Sequence, residues 1–402
     1  MTRIMDGFPP PPERQVTLAN WRGAPFNRWA FHHVREIVPT ADIANDPAHA
    51  IDFAVALIDL DAVRIESPRG PLSLGQFMEE TSTDGLVVVA DGRIAFERYA
   101  GQMTAESPHI LMSVSKSMLG LLAGVLAHRG ELDPDRPVGN LVPEVAKTAY
   151  CGATIRHLLD MRAGVAFDED YLATSGPIVA YRKATNWTPL EPGDGPSDLR
   201  SFYAKLTESA GPHGGPVRYV SPNTDLLGWI IERATGRRYA DLMSELIWRP
   251  MGATRSAYIT VDRLGAPRCA GGMCATVRDL ARVGQLIVDD GRHGGVEVLP
   301  ARWLRDLARG GDTAAWAAGN IAEYFPGRPL RYRNQWYADD VESPMIFGLG
   351  IHGQYLFVDR ALGVVIAKVS SQALPMDHER ITLTMAAADA IRRGLAEQRR
   401  RR

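Results

Sequence analysis

A pair of strands is predicted near each end of this chain, and a long helical region separates the two pairs. Residues 85–101, GLVVVADGRIAFERYAG, indicate two strands around Asp91-Gly92, a dipeptide that tolerates the positive φ angles of a tight hairpin turn. Residues 354–371 contain a second hairpin-like pair, QYLFVD and GVVIAKVSS. Because both pairs favour antiparallel pairing over a βαβ unit, we expect the two ends of the chain to close one antiparallel sheet.

The region between the strand pairs shows mostly helical patterns that begin near a Ser, Thr or Asp able to cap a helix. They are TIRHLLDM (154–161), SDLRSFYAKL (197–206), TDLLGWIIERATG (224–236) and TVRDLARVGQLIVDDG (276–291), and a last helix is predicted over 377–396. The pattern predicts an α/β (α+β) fold. Residues 1–116 and 291–402 are expected to form an α/β lobe that contains the antiparallel sheet. Residues 117–290 are expected to form a mostly helical lobe, and the active site is expected to lie at the interface between the two lobes.

The composition is that of an ordinary globular protein, with 45% hydrophobic and 23% charged residues in 402. A net charge of −2 gives no electrostatic reason to expect nucleic acid, so a small molecule is the expected partner. No window approaches 18 uninterrupted apolar residues, so no membrane-spanning segment is expected. The N-terminus lacks the pattern of a signal peptide, so a cytoplasmic location is expected and export is not. Cys151, Cys269 and Cys274 lack the spacing of a zinc site or disulfide framework and are interpreted as reduced core thiols.

Ser113 and Lys116 form an S-x-x-K motif at the start of the predicted helix SVSKSMLGLLAGVLAHR (113–129). Residues three apart on a helix share one face, so the two side chains can meet. A serine hydroxyl is a weak nucleophile until a base takes its proton, and a lysine in a dry cleft can be neutral enough to do so. Lysine is scarce here, with five among 45 basic residues. The alternative interpretation is an exposed lysine on a core helix.

The segment LMSVSKS and the long apolar helix that follows resemble the active-site helix of class C β-lactamases, penicillin-binding proteins and related family VIII esterases. The segment is most similar to the 6-aminohexanoate-dimer hydrolases. Further segments resemble that family in the same order: NRWAFHHVREIVPTADI (27–43), TIRHLLDMRAGV (154–165), YVSPNTDLLGWIIERATG (219–236) and GGMCATVRDLARVGQLIVDDG (271–291). The resemblance implies a β-lactamase/transpeptidase-like fold and a serine hydrolase.

The resemblance also implies roles for Tyr219 and Ser221, which match the family's Y-x-N/S element. Its tyrosine is the base and acid beside the lysine. A tyrosine near an ammonium is expected to lose its proton more easily, to accept that of Ser113 and to return it to the leaving group. A half-buried structural tyrosine is the alternative.

The third element of the family, K-T-G, is replaced here by Gly348-Leu-Gly-Ile-His-Gly353. The dimer hydrolases have a similar G-I-H-G-Q, which implies that Ile351 supplies a backbone N–H to an oxyanion hole beside that of Ser113, with His352 nearby. The same residues match G-x-G-x-x-G, but a dinucleotide site needs a preceding strand and a following helix, whereas QYLFVD follows. The nucleotide interpretation is therefore rejected.

Two aromatic residues, Tyr171 in FDEDY and Trp187 in TNW, match positions that contact or cover the substrate in the dimer hydrolases. Structural aromatics are the alternative. Those enzymes have an acid five residues before the tryptophan, where this chain has Arg182, and a polar residue before the Gly-Gly pair, where it has Ala270. Because arginine inverts the local charge, an anionic substrate group is expected in place of an amino-terminal cation.

The sequence thus predicts acyl transfer to water, with Ser113 as the nucleophile, on a small-molecule amide or ester. No cofactor, metal, nucleic acid or membrane is expected. Neither a G-x-S-x-G elbow nor an H-E-x-x-H pair occurs, which argues against an α/β-hydrolase and a zinc protease. Two alternatives stay open: a carboxylesterase with weak β-lactamase activity, and a penicillin-sensing-type binding protein that acylates without turnover. The oligomeric state is not readable.

Overall fold

Strands from both ends of the chain meet in one large sheet, as the two strand pairs predicted. The computed structural model describes residues 4–60, 62–341 and 343–401. The strands among these residues are β1 Thr40–Ile43, β2 Ala54–Val55, β3 Thr83–Ala90, β4 Arg93–Tyr99, β5 His109–Ile110, β6 Ala257–Thr260, β7 Met273–Ala275, β8 Arg292–His293, β9 Val296–Glu297, β10 Leu330–Arg333, β11 Trp336–Asp339, β12 Met345–Gly350, β13 Gln354–Asp359 and β14 Val364–Ser370.

The large sheet has the strand order β10-β11-β12-β13-β14-β3-β4-β2. Its N-terminal and C-terminal parts join where β14 pairs antiparallel with β3, from Val364 opposite Ala90 to Ser370 opposite Thr83. Both predicted hairpins form, and the β3–β4 turn has φ of 52° at Asp91. The short strand β2 differs from the expectation, because it pairs parallel with β4.

The helices among the described residues are α1 Asn27–Ala30, α2 Leu74–Glu80, α3 Val114–His128, α4 Ile155–Leu159, α5 Pro177–Ala184, α6 Leu199–Phe202, α7 Ser221–Thr235, α8 Tyr239–Met243, α9 Val277–Val288, α10 Ala301–Arg309, α11 Thr313–Ala317 and α12 His378–Arg401. Short 3-10 turns and one π-helical turn complete the helical structure: Pro12–Arg14, Val34–Glu36, Val138–Asn140, Pro143–Val145, Tyr203–Lys205, Ala322–Tyr324 and Ser244–Trp248. None of these helices is long and apolar enough to cross a membrane.

Both faces of the large sheet are buried, which explains the uninterrupted apolar run in β3. Side chains alternate between the two faces of a strand. Accordingly Val87 and Val89 belong to one core, whereas Leu86 and Val88 belong to the other. The first core extends into α3 and α9, and the second is covered by α2 and α12. The α+β prediction is therefore confirmed.

Helices α4 to α8 lie between β5 and β6 in the chain, where the sequence indicated a helical lobe. Helix α9 lies in the same predicted lobe, yet it packs against β3, β13 and β14 of the large sheet. The division into two lobes stays a prediction.

A second sheet has four strands in the order β1-β6-β7-β5. Its edge strand β5 is followed in the chain by α3.

The interpretation of all three cysteines as core thiols needs one correction. Cys269 and Cys274 are buried thiols, but Cys151 is exposed and does not belong to the core.

Candidate active site

Ser113 lies between strand β5 and helix α3, at a sharp turn of the backbone. Met112, the residue before it, has φ of 45°, a left-handed conformation that is uncommon for residues other than glycine. The turn directs the chain from the strand into the helix and leaves Ser113 at the N-terminal end of α3. The serine is only 9% exposed, yet it lines a cavity. A strained residue of this kind persists only where the surrounding structure holds it, and such residues cluster at functional sites.

Lys116 lies one turn into α3 and is buried, so the alternative of an exposed lysine is wrong. Its Nζ lies 2.8 Å from the Ser113 Oγ, 3.0 Å from the Ser221 Oγ and 2.8 Å from the Ala270 carbonyl oxygen. Burial lowers the pKa of Lys116 to about 7, and the nearby Glu169 carboxylate opposes this shift. A substantial fraction of this amine is therefore neutral at neutral pH and able to accept a proton.

Tyr219 lies two residues before the start of α7 and is buried beside the lysine. The Lys116 Nζ lies 4.8 Å from the centroid of the Tyr219 ring. Burial raises the pKa of Tyr219, the negative charge of Glu169 raises it further, and the hydroxyls of Ser113 and Tyr337 act in the opposite direction. This direction is opposite to the expectation from the sequence. Lys116, and not Tyr219, is the group that loses its proton near neutral pH.

The glycines of the Gly348–Gly353 segment allow strand β12 to approach Ser113 closely. A Cβ added to Gly350 would lie 2.6 Å from the Leu111 carbonyl oxygen and 2.9 Å from the Ser113 nitrogen, so a side chain has no room there. Within the described part of the chain, the N–H groups of Ser113 and Ile351 donate to no acceptor, and both residues line the cavity. They are suited to bind an oxyanion, and that role stays a prediction.

The cavity above Ser113 has a volume of about 390 Å³. Its lining combines aromatic and aliphatic side chains with several carboxylates. The lining residues are Ser113, Asp168, Glu169, Asp170, Tyr171, Leu172, Tyr219, Asn320, Ile321, Glu323, Tyr324, Phe325, Tyr337, Leu349, Ile351, Pro375 and Met376. Every charged residue in this set is acidic. No group of three or more His, Cys, Asp or Glu among the described residues could hold a metal ion.

Residues 74–390 match the family described as Beta-lactamase. This chain belongs to the β-lactamase family. A 6-aminohexanoate-dimer hydrolase from Paenarthrobacter ureafaciens is 36% identical to it over 358 residues, which cover 89% of this chain and 88% of the relative. Esterase EstB from Burkholderia gladioli is 27% identical over 228 residues, 56% of this chain and 57% of that one.

A solved structure from Bacillus anthracis, provisionally called a 6-aminohexanoate-dimer hydrolase, superposes on this β-lactamase-family protein with a TM-score of 0.87. It is 28% identical, and the match covers 96% of this chain and 99% of the other. These comparisons confirm the resemblance and the β-lactamase/transpeptidase-like fold predicted from the sequence. The protein is a hydrolase of the β-lactamase family.

Two of the predicted substrate-binding residues of this β-lactamase-family protein, Tyr171 in the loop before α5 and Arg182 on α5, are joined by a hydrogen bond. Tyr171 lines the cavity and donates its hydroxyl to Glu169. Arg182 does not line the cavity. It donates to the carbonyl oxygens of Tyr171, at 2.6 Å, and Ala173, at 3.0 Å, and so stabilises the backbone of this loop. Because the charged residues of the cavity lining are acidic, the arrangement gives no support to the predicted preference for an anionic group.

His352 and Trp187 are buried in this hydrolase, and neither is among the residues that line the cavity. The His352 Nδ1 donates to the Gln372 carbonyl oxygen at 2.7 Å, its ring packs against Phe31, and burial lowers its pKa to about 4. Trp187 is buried and donates its Nε1–H to the Thr260 Oγ1 at 3.1 Å. Both residues have buried structural contacts, and direct substrate contact stays a prediction.

Sequence reasoning missed a buried ion pair that supports the lysine. Asp225 on α7 pairs with Arg268, accepts the Tyr181 hydroxyl at 2.5 Å and accepts the Ala270 N–H at 2.7 Å. The Ala270 carbonyl in turn accepts from Lys116. Ala270 therefore contributes its backbone, and this position needs no polar side chain.

Glu169 is the other missed residue. Its carboxylate accepts the backbone N–H of Ser221 and lies 3.1 Å from the Ser221 Oγ. The sequence signal for this residue is the position of a carboxylate two residues before Tyr171 in FDEDY.

Proposed function

We propose that this protein cleaves an amide or ester bond through an acyl-enzyme on Ser113. The observation that carries the proposal is the 2.8 Å contact between the Ser113 Oγ and the buried Nζ of Lys116, at the base of a cavity large enough for a small substrate. Because burial lowers the pKa of Lys116 to about 7, a base of suitable strength lies beside the nucleophile.

Acylation begins when the neutral Lys116 takes the Ser113 proton and the Oγ attacks the substrate carbonyl carbon. The carbonyl oxygen gains the negative charge and binds the N–H groups of Ser113 and Ile351. The oxyanion then re-forms the carbonyl, and the C–N or C–O bond breaks as Tyr219 gives its proton to the leaving amine or alcohol. The Lys116 ammonium returns a proton to Tyr219, whose raised pKa keeps it a donor.

Deacylation repeats these steps with water in place of the serine. A water molecule gives one proton to Lys116 as its oxygen attacks the ester carbonyl, and the Lys116 ammonium then returns this proton to the Ser113 Oγ as that oxygen leaves. No cofactor takes part in these steps. Ser221 accepts from Lys116 and holds it in place.

A small-molecule amide or ester is the proposed substrate. The amide is supported by the 36% identical 6-aminohexanoate-dimer hydrolase and the ester by Esterase EstB. The acidic lining residues favour a neutral or cationic substrate over an anionic one. A carboxylesterase with weak β-lactamase activity and a non-catalytic sensor are the alternatives, and the cytoplasmic location stays a prediction.

The test combines labelling with turnover. A fluorophosphonate probe should add one adduct to the wild-type mass and none to the Ser113→Ala variant. The same pair of proteins is then assayed with short-chain p-nitrophenyl esters, a cephalosporin and 6-aminohexanoate dimer, and the preferred substrate separates esterase, β-lactamase and amidase. Labelling without turnover would indicate a sensor, and absence of a Ser113-dependent adduct would refute the proposal.

A further inference from the structure

Glu169 ends a chain of hydrogen bonds that starts at the Lys116 amine. The Lys116 Nζ lies 3.0 Å from the Ser221 Oγ, and this oxygen lies 3.1 Å from the Glu169 Oε2. The same Oε2 accepts the hydroxyl of Tyr171, and Oε1 accepts the backbone N–H of Ser221. An ionised carboxylate only accepts hydrogen bonds. The Ser221 hydroxyl must therefore donate to Glu169, and its lone pairs are left for Lys116.

This direction decides where the lone pair of a neutral Lys116 points. A neutral amine has two N–H groups and one lone pair, and Lys116 has three oxygen neighbours. The Ala270 carbonyl can only accept, at 2.8 Å, and the Ser221 Oγ accepts because its own proton is committed to Glu169. Both N–H groups are thus used. The lone pair is left facing the Ser113 Oγ, at 2.8 Å, where the proton must be taken.

We propose that Glu169 is a positioning residue that fixes the direction of the Ser221 hydrogen bond and so turns the lone pair of Lys116 toward Ser113. This inference rests on the proposed acyl-enzyme mechanism and assigns it one more residue. Glu169 acts through Ser221 and Lys116, although it also lines the cavity.

The substitution Glu169→Gln reverses the chain with little change in shape. The Ser221 N–H needs an acceptor, so the glutamine oxygen takes the place of Oε1 and the amide nitrogen takes the place of Oε2. That nitrogen can only donate, to the Ser221 Oγ and to the Tyr171 Oη, so the Tyr171 hydroxyl loses this acceptor and the Ser221 hydroxyl must find another one. The available acceptor is the lone pair of Lys116, which then no longer faces Ser113.

The charge of Glu169 gives a second readout. The charged and titratable groups that face Lys116 are Glu169 and Asp225, which raise its pKa, Arg268, which lowers it, and the Tyr219 ring. Removing the negative charge of Glu169 lowers the pKa of Lys116 further. The acid limb of the pH profile, where Lys116 must be deprotonated, then moves to lower pH.

The experiment measures kcat/KM for a p-nitrophenyl ester against pH in wild type, Glu169→Gln, Glu169→Asp, Ser221→Ala and the Glu169→Gln/Ser221→Ala double variant. Circular dichroism checks the fold of each, and the exposed Glu191→Gln serves as a charge-matched control. Glu169→Gln should lose about 10²-fold at the plateau, within the range of general-base catalysis, with its acid limb at lower pH. Glu169→Asp should keep the wild-type limb, since it retains the charge and the accepting oxygens.

In the Ser221→Ala background, Glu169→Gln should add little further plateau loss, because the hydroxyl it acts through is absent. A Glu169→Gln variant with the wild-type plateau and limb would overturn the inference. A second result would also overturn it: Glu169→Gln lowers the plateau and leaves the acid limb at the wild-type pH, and its loss adds fully to the loss caused by Ser221→Ala in the double variant. A purely structural role of Glu169 would give that result. Each outcome requires Ser113-dependent fluorophosphonate labelling in the wild type, and absence of that adduct would refute the proposed function itself.

Discussion

Replacing the buried Lys368 with methionine should change the way in which the stability of this protein depends on pH. Lys368 lies on β14 and is 1% exposed. Its Nζ donates to the Ser370 Oγ at 2.5 Å and to the Gly353 carbonyl at 3.3 Å, between the rings of Phe77 and Tyr355. Burial lowers its pKa from 10.5 to about 7. Methionine has a similar length and no charge to bury.

The direction in which stability changes with pH follows from the number of protons bound in the folded and unfolded states. Between about pH 7 and 10.5 the unfolded chain holds the Lys368 proton and the folded protein releases it, so stability rises with pH through this window. Each pKa unit corresponds to about 1.4 kcal/mol. The burial of Lys368 therefore costs about 4 kcal/mol at pH 7, and this cost disappears above the unfolded pKa. The nearby Asp84 reduces the shift and Arg380 increases it.

Urea unfolding at a series of pH values, followed by tryptophan fluorescence and circular dichroism, measures this effect as a difference between two proteins. The unfolding free energy of wild type minus that of Lys368→Met should rise by about 4 kcal/mol from pH 7 to 10.5. Lys116 is present in both proteins, so its own pH dependence cancels. Methionine also leaves the Gly353 carbonyl without this donor, at a cost of about 1–3 kcal/mol, which moves the whole difference without changing its slope. A difference that stays constant with pH would refute the reasoning.

The remaining predictions concern the nucleophile and its supports. Because burial lowers the pKa of Lys116 to about 7, kcat/KM should rise with pH through an apparent pKa near that value, and a flat profile would contradict the base role. Gly350→Ala should lower kcat by about 10²- to 10³-fold, since its Cβ would lie 2.9 Å from the Ser113 nitrogen; unchanged kcat would exclude this contact. Asp225→Asn should lower the unfolding free energy by about 3–5 kcal/mol, because it leaves the buried Arg268 without its ion pair, and a loss below about 1 kcal/mol in urea unfolding would contradict this.

The strand pairs and the contact between Ser113 and Lys116 could be predicted because their signals are local. The hairpin turn at Asp91-Gly92 depends on neighbouring residues only. The spacing of Ser113 and Lys116 likewise places both on one helix face, and the contact between them is present. Each of these inferences needed a few consecutive residues and one known periodicity.

The supporting residues could not be predicted because their partners are distant in the chain. Glu169 meets Ser221 from 52 positions away, and Asp225 meets Arg268 from 43. No periodicity connects such pairs, so only the fold brings them together. The ionisation of Tyr219 was predicted in the wrong direction for a related reason. Proximity to an ammonium suggested a lower pKa, but burial, which the sequence does not report, has the larger effect.

The two buried lysines affect stability and activity over adjoining pH ranges, and the two effects can be separated. Burial lowers the pKa of both Lys116 and Lys368 to about 7, and arginine could occupy neither position as a neutral group. As the pH falls from 10.5 to 7, the cost of burying Lys368 develops and weakens the fold behind the turn that contains Ile351. As the pH falls further through 7, Lys116 stops accepting the Ser113 proton. An acid limb that persists unchanged in Lys368→Met belongs to Lys116 and reports catalysis. A limb that disappears with Lys368 would instead report unfolding of the site, and the base role of Lys116 would then lack kinetic support.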